Sequence, residues 1–95
     1  MITHIVMWRL KAENKRENAL AMKEKLEALQ ATVTELLSIR VDFNSEAADA
    51  ANFDVILTTT FSSFDDLAGY AKHPAHLAVV DFVKSVVTER VAIDY

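Results

Sequence analysis

The three histidines of this sequence, His4, His73 and His76, have the chemistry to move a proton near neutral pH, and Tyr70, close before two of them, can hold a developing oxyanion. A phenolic hydroxyl can donate to an enolate oxygen while an imidazole removes the adjacent proton, the pairing an aldol-type cyclisation needs. Tyr70 stands three residues before His73 and six before His76, and Pro74 separates the two histidines. Both histidines can then face the same way at a helix start. Each residue also has a plain structural use. His4 sits on a strand face otherwise occupied by Ile2, Val6, Trp8 and Leu10, where a buried histidine bonded to a neighbour is one reading and a proton-transfer group in an apolar cavity is the other. Tyr70 can cap the core edge with its hydroxyl in water. His73 suits a hydrogen bond that fixes the kink, and His76 points at a pocket or at backbone. Two histidines alone do not make a metal site, and Asp65, Asp66 and Asp81 are only nearby in sequence, so no metal is expected.

The elements that must position these groups read clearly. Residues 2–10 alternate with period two and are apolar on both faces, which predicts a strand covered on both sides. From about Asn14 to Leu37, Ala19, Met22, Leu26, Leu29, Val33 and Leu36 recur at helical steps, with a break expected near Thr32–Thr34. Ile39–Phe43 predicts a second strand, the polar stretch 44–52 a loop, and Phe53–Phe61 a third strand. Ser63-Phe64-Asp65-Asp66 fits a capping box that opens a helix to about Lys72. Pro74 starts another helix carrying Leu77, Val80, Val83 and Val87, and Arg90–Tyr95 closes the chain as a fourth strand.

This β-α-β-β-α-β order predicts one α+β domain of ferredoxin-like topology over residues 1–95, with helices on one face of a four-stranded antiparallel sheet. The bare face is expected to carry Trp8, Val6 and a set of Phe or Val side chains. With 52% apolar residues in 95, the chain has more apolar surface than so small a core can bury. A second copy of the same sheet is the expected cover, with a pocket between the two sheets.

The net charge of −4 and the lack of any basic cluster argue against nucleic-acid binding. The absence of cysteine excludes disulfides and thiolate chemistry, and no run approaches the length needed to cross a bilayer. With no charged leader at its N-terminus, the chain reads as cytoplasmic and without membrane partners.

The opening Ile2-Thr3-His4-Ile5-Val6-Met7-Trp8-Arg9-Leu10, the run Tyr70-Ala71-Lys72-His73-Pro74-Ala75-His76 and the closing Val91-Ala92-Ile93-Asp94-Tyr95 resemble the stress-responsive A/B barrel proteins, the dimeric α/β barrel or Dabb domain. One departure is Thr34-Glu35-Leu36-Leu37-Ser38, where members often have a Pro-Gly turn. The resemblance implies a two-fold dimer whose sheets form a barrel around a cavity, and no single activity. Some members are linked to stress responses, and a plant relative is a polyketide cyclase. By motif position the resemblance implies catalytic roles for Tyr70 and His76, with His4 also lining the cavity. Trp8, Val6 and His73 are the accompanying ligand-binding candidates.

The expected function is therefore a homodimer that binds a small apolar or phenolic molecule, with cofactor-free acid–base chemistry as its catalytic form. The rivals are a non-enzymatic stress-protective protein, which predicts a filled interior, and a monooxygenase-like member of the wider group.

Overall fold

Strand β1 spans Ile2–Leu10, helix α1 Lys15–Glu27, strand β2 Ser38–Phe43, strand β3 Val55–Phe61, helix α2 Phe64–Lys72, helix α3 Pro74–Val86 and strand β4 Val87–Asp94, in a computed structural model that describes residues 1–95. The strands form one antiparallel sheet in the order β2-β3-β1-β4. This is the α+β, ferredoxin-like βαββαβ arrangement that the sequence predicts. The sheet of a single chain does not close on itself: β2 and β4 are its two edges. No helix is long and apolar enough to cross a membrane.

Three boundaries differ from expectation. Helix α1 stops at Glu27 and tightens into a 3₁₀ turn over Ala28–Ala31, before the β-branched run rather than at it. Leu29, Val33 and Leu36 remain buried beyond that point. Val87 ends α3 in extended backbone and starts β4, three residues earlier than predicted, because it pairs with Leu10 at the end of β1. Strand β3 begins at Val55, with Asp54 accepting from the Leu10 N–H beside it.

The larger correction concerns which sheet face is bare. Val6 and Trp8, expected there, are 2% and 5% exposed and lie under the helices. β1 alone cannot decide between its two apolar faces, but the neighbouring strands can. Val6, Trp8 and Leu10 share a layer with Val41, Val55, Leu57 and Phe61, a continuous bulky surface that Met22, Leu26, Tyr70 and Val83 cover. The opposite layer contains Ile5, Met7, Ile56, Val91 and Ile93 but is broken by Thr3, Arg9, Arg40, Asp42, Thr58 and Thr60. Helices take the face that is the more continuously apolar over β1, β2 and β3, since every polar group buried there would need a partner. Thr59, the one buried polar residue, meets this demand by donating to the His4 carbonyl at 3.0 Å.

The edge at β2 is guarded. The Val41 N–H donates to Glu27 Oε2 at 3.0 Å and its carbonyl accepts from Lys23 Nζ at 2.7 Å, so α1 occupies hydrogen-bonding groups that another strand could use. Lys23 and Glu27 also pair with each other at 2.9 Å.

Candidate active site

The chain runs from α2 to α3 through a single extended residue. His73, with ψ of 133°, ends one helix and caps the next, its Nδ1 accepting from the Ala75 N–H at 3.1 Å. Pro74 explains both features, because it forces extended backbone on the residue before it and fits the first helical position. Ser63 caps α2 by accepting from the Asp66 N–H at 3.1 Å, which is the Ser half of the expected box.

This bend places Tyr70, from the end of α2, against His76, from the first turns of α3, with ring centroids 4.3 Å apart. Phe61 flanks Tyr70 on the other side at 5.1 Å. The Tyr70 hydroxyl is buried and no protein atom pairs with it. Burial pushes its pKa up to about 12, so it remains a proton donor at neutral pH. His76 binds the Ala71 carbonyl through Nδ1 at 3.1 Å, which makes Nδ1 the protonated nitrogen and leaves a lone pair on Nε2. Burial lowers the His76 pKa, with His4, Arg90 and His73 adding to the effect against the opposing bond from Ala71. The neutral, proton-accepting ring is thereby favoured.

His4 lies opposite Asp94 in the β1–β4 ladder and bonds its carboxylate through Nδ1. In the neutral ring that bond fixes the proton on Nδ1 and leaves Nε2 as the free acceptor. His4, Tyr70 and His76 all line one pocket of about 460 Å³, walled by Val6, Trp8, Leu57, Val80 and Val83. That volume falls within the range of small-molecule sites. Two more open hollows of about 630 and 560 Å³ flank the β2–β3 loop and contain no histidine or tyrosine.

The pocket corrects one expectation and extends another. It lies between the helices and the sheet of one chain, not between two sheets, because the face carrying His4, Val6 and Trp8 is the helix-covered one. Five of the six residues singled out from sequence line it; His73 does not, its ring being used in the cap. Sequence reasoning missed Asp94 and Arg90. Their signal was the alternation of β4, which puts Arg90, Ala92 and Asp94 opposite Trp8, Val6 and His4 on the helix side. No three His, Asp or Glu side chains converge on a point that could hold a metal.

Comparison with known proteins places the chain in a family. The Stress responsive A/B Barrel Domain family matches residues 2–95. The chain belongs to the Dabb family. It is 30% identical over 96 residues to a stress-response A/B barrel domain-containing protein of Arabidopsis thaliana, covering all of this chain and 36% of that protein. The chain thus spans about a third of the length of that curated relative. Among solved structures, a dimeric protein of unknown function from Bacteroides fragilis superposes with a TM-score of 0.85 at 28% identity, over 99% of this chain and 93% of that one. The hydroxynitrile lyase of Passiflora edulis shares the fold with a TM-score of 0.86 at 18% identity, over 99% and 90%.

Proposed function

We propose that this Dabb domain binds a small, largely apolar carbonyl compound in the pocket under α2 and α3 and catalyses cofactor-free proton transfer on it. The observation that carries this reading is that Tyr70, whose buried hydroxyl has no protein partner, and His76, whose Nε2 is free, lie with ring centroids 4.3 Å apart and both line one pocket. A buried hydroxyl without an acceptor costs roughly 1–3 kcal/mol, and a substrate oxygen is the acceptor that would offset it. His76 Nε2 takes a proton from the carbon next to that carbonyl, and the Tyr70 hydroxyl donates to the enolate oxygen that forms. The carbanion then either attacks a second carbonyl of the same molecule, whose oxygen takes the proton back from His76, or is itself reprotonated by His76. His4, fixed by Asp94, assists from the sheet side of the pocket. A lyase housed in the same fold, in the Passiflora protein, is compatible with this chemistry.

The working unit in this reading is a homodimer that closes the barrel across the bare face. Ile5, Met7, Ile56, Val91 and Ile93 supply its apolar centre, with Val91 and Ile93 42% and 60% exposed in the single chain. The dimeric Bacteroides relative supports the assembly. A purely protective role predicts a filled interior, which the pocket does not favour, and the acid–base lining favours proton transfer over monooxygenation.

The test is hydrogen–deuterium exchange at the acidic carbon of an aryl 1,3-diketone, followed by NMR. Wild type is expected to accelerate exchange over buffer, with His76→Gln abolishing the gain. Exchange no faster than buffer, or unaffected in His76→Gln, sinks the assignment.

A further inference from the structure

The pocket contains one cation with no partner. Of the chain's arginines, Arg9 pairs with Glu89 at 3.2 Å and Arg40 with Asp42 at 2.7 Å, while Arg16 lies on the exposed face of α1. Arg90 lines the pocket and forms neither an ion pair nor a side-chain hydrogen bond with the protein. The carboxylates near it are committed elsewhere. Glu89 is on the opposite sheet face with Arg9, and Asp94 is bonded to His4. Arg90 and Asp94 are four residues apart on the same face of β4, so about 13 Å of strand separates them. The positive end of the pocket is therefore distinct from its His4–Asp94 end.

We propose that the ligand of this pocket is an organic carboxylate with an apolar body, and that Arg90 binds its carboxylate. The inference rests on the pocket being a ligand site and adds the charge of the occupant. A guanidinium donates two parallel N–H bonds to the two oxygens of a carboxylate, which fixes orientation as well as position. The walls provided by Trp8, Leu57, Val80 and Val83 take the apolar body and leave a carbonyl to meet Tyr70 and His76. A phosphate dianion fits less well, since Arg90 is the only arginine or lysine in the lining and the Asp94 carboxylate shares it. Placing the carboxylate also changes the base. Arg90 is among the groups that hold the proton affinity of His76 down, so an anion seated on Arg90 relieves that repulsion and makes Nε2 a stronger proton acceptor. Substrate charge and catalytic basicity are thereby coupled.

Isothermal titration of 4-phenylbutanoate and its neutral isostere 4-phenylbutanamide, at pH 7 and low salt, tests this in wild type and in Arg90→Met and Arg90→Lys. Arg90 is on an exposed edge strand, so both variants are expected to fold; thermal melts verify it. Wild type should prefer the acid by about tenfold or more. Arg90→Met should lose that preference and bind acid and amide alike, and Arg90→Lys should retain part of it. In wild type the His76 Cε1–H resonance should titrate at higher pH with the acid bound than with the amide. Equal binding of acid and amide by wild type, or a preference that survives in Arg90→Met, overturns the role of Arg90 and leaves the pocket standing. Binding of neither compound overturns both.

Discussion

Replacing Tyr70 with Phe removes one oxygen atom and should make the protein more stable and less active. In the unfolded chain the phenol is bonded to water; in the folded protein it is 1% exposed and no protein atom pairs with it. Stranding such a group costs roughly 1–3 kcal/mol. The ring contacts with Phe61 at 5.1 Å and His76 at 4.3 Å survive the substitution. Only one oxygen atom is removed, so the cavity cost is small. The expected gain is at the low end of the range, about 1 kcal/mol, or ~4–8 °C in Tm for a domain of this size. Urea unfolding and calorimetry at pH 7 measure it, and exchange of the aryl diketone measures the loss of activity, expected at about 10²-fold or more for an oxyanion donor. Alkaline pH supplies an internal check. The phenol is protonated up to about pH 12 when folded but only to about 10 when unfolded, so folded chains retain more protons across that window. Wild type should lose stability there, and Tyr70→Phe should lose less. Destabilisation by 1 kcal/mol or more at pH 7 would refute the reasoning, because the hydroxyl would then have a stabilising partner and a structural purpose.

Two further outcomes separate scaffold from site. His73→Ala should cost about 0.5–2 kcal/mol by removing the α3 cap, His73→Asn should restore most of it, and ligand affinity should follow neither beyond the change in folding, as read by paired unfolding and titration curves. The Lys23 hydrogen bond, with help from the Val41 N–H, holds the Glu27 carboxyl below its ordinary 4.5. Its contribution is present above that pH and fades as acid protonates it, so Glu27→Gln should cost about 0.5–1 kcal/mol at pH 7 and progressively less in melts below pH 4.5.

The element order was legible because periodicity changes sharply along the chain: period two in 2–10 and 55–61, helical steps in 19–36 and 77–83, and Pro74 between two helices. The direction of the faces was not. Ile5 and Met7 are as apolar as Val6 and Trp8, and the register against β3, where Ile5 faces Thr58 while Val6 and Trp8 face Leu57 and Val55, shows which set is buried. β4 alone would have suggested the reverse, with Val91 and Ile93 on the bare side and Arg90 and Asp94 on the covered one. A reading of each strand by itself therefore put Trp8 and Val6 on the bare face and moved the pocket outside the protomer. Asp94 and Arg90 were lost for the same reason. They look like surface charges until the β1–β4 ladder sets them across from His4 and Trp8.

The Tyr70–His76 pair shows why the His-Pro break matters to the site as well as to the fold. In an uninterrupted helix, residues six apart are separated by about 9 Å of rise and about 240° of rotation, so their side chains leave on different faces. Here the rings are 4.3 Å apart between centroids. The single extended residue His73 accounts for the difference: it ends α2, redirects the chain and lets α3 begin with its first turns folded back over Tyr70. Pro74 makes that conformation the favoured one, and the His73 ring caps the new helix. Of the two histidines in the motif, one thus builds the bend and the other uses it. The Nδ1 bond of His76 to the Ala71 carbonyl, in the last turn of α2, joins the two halves and turns Nε2 into the free acceptor in the same step. A substitution that straightened the bend would separate the base from the phenol without touching either.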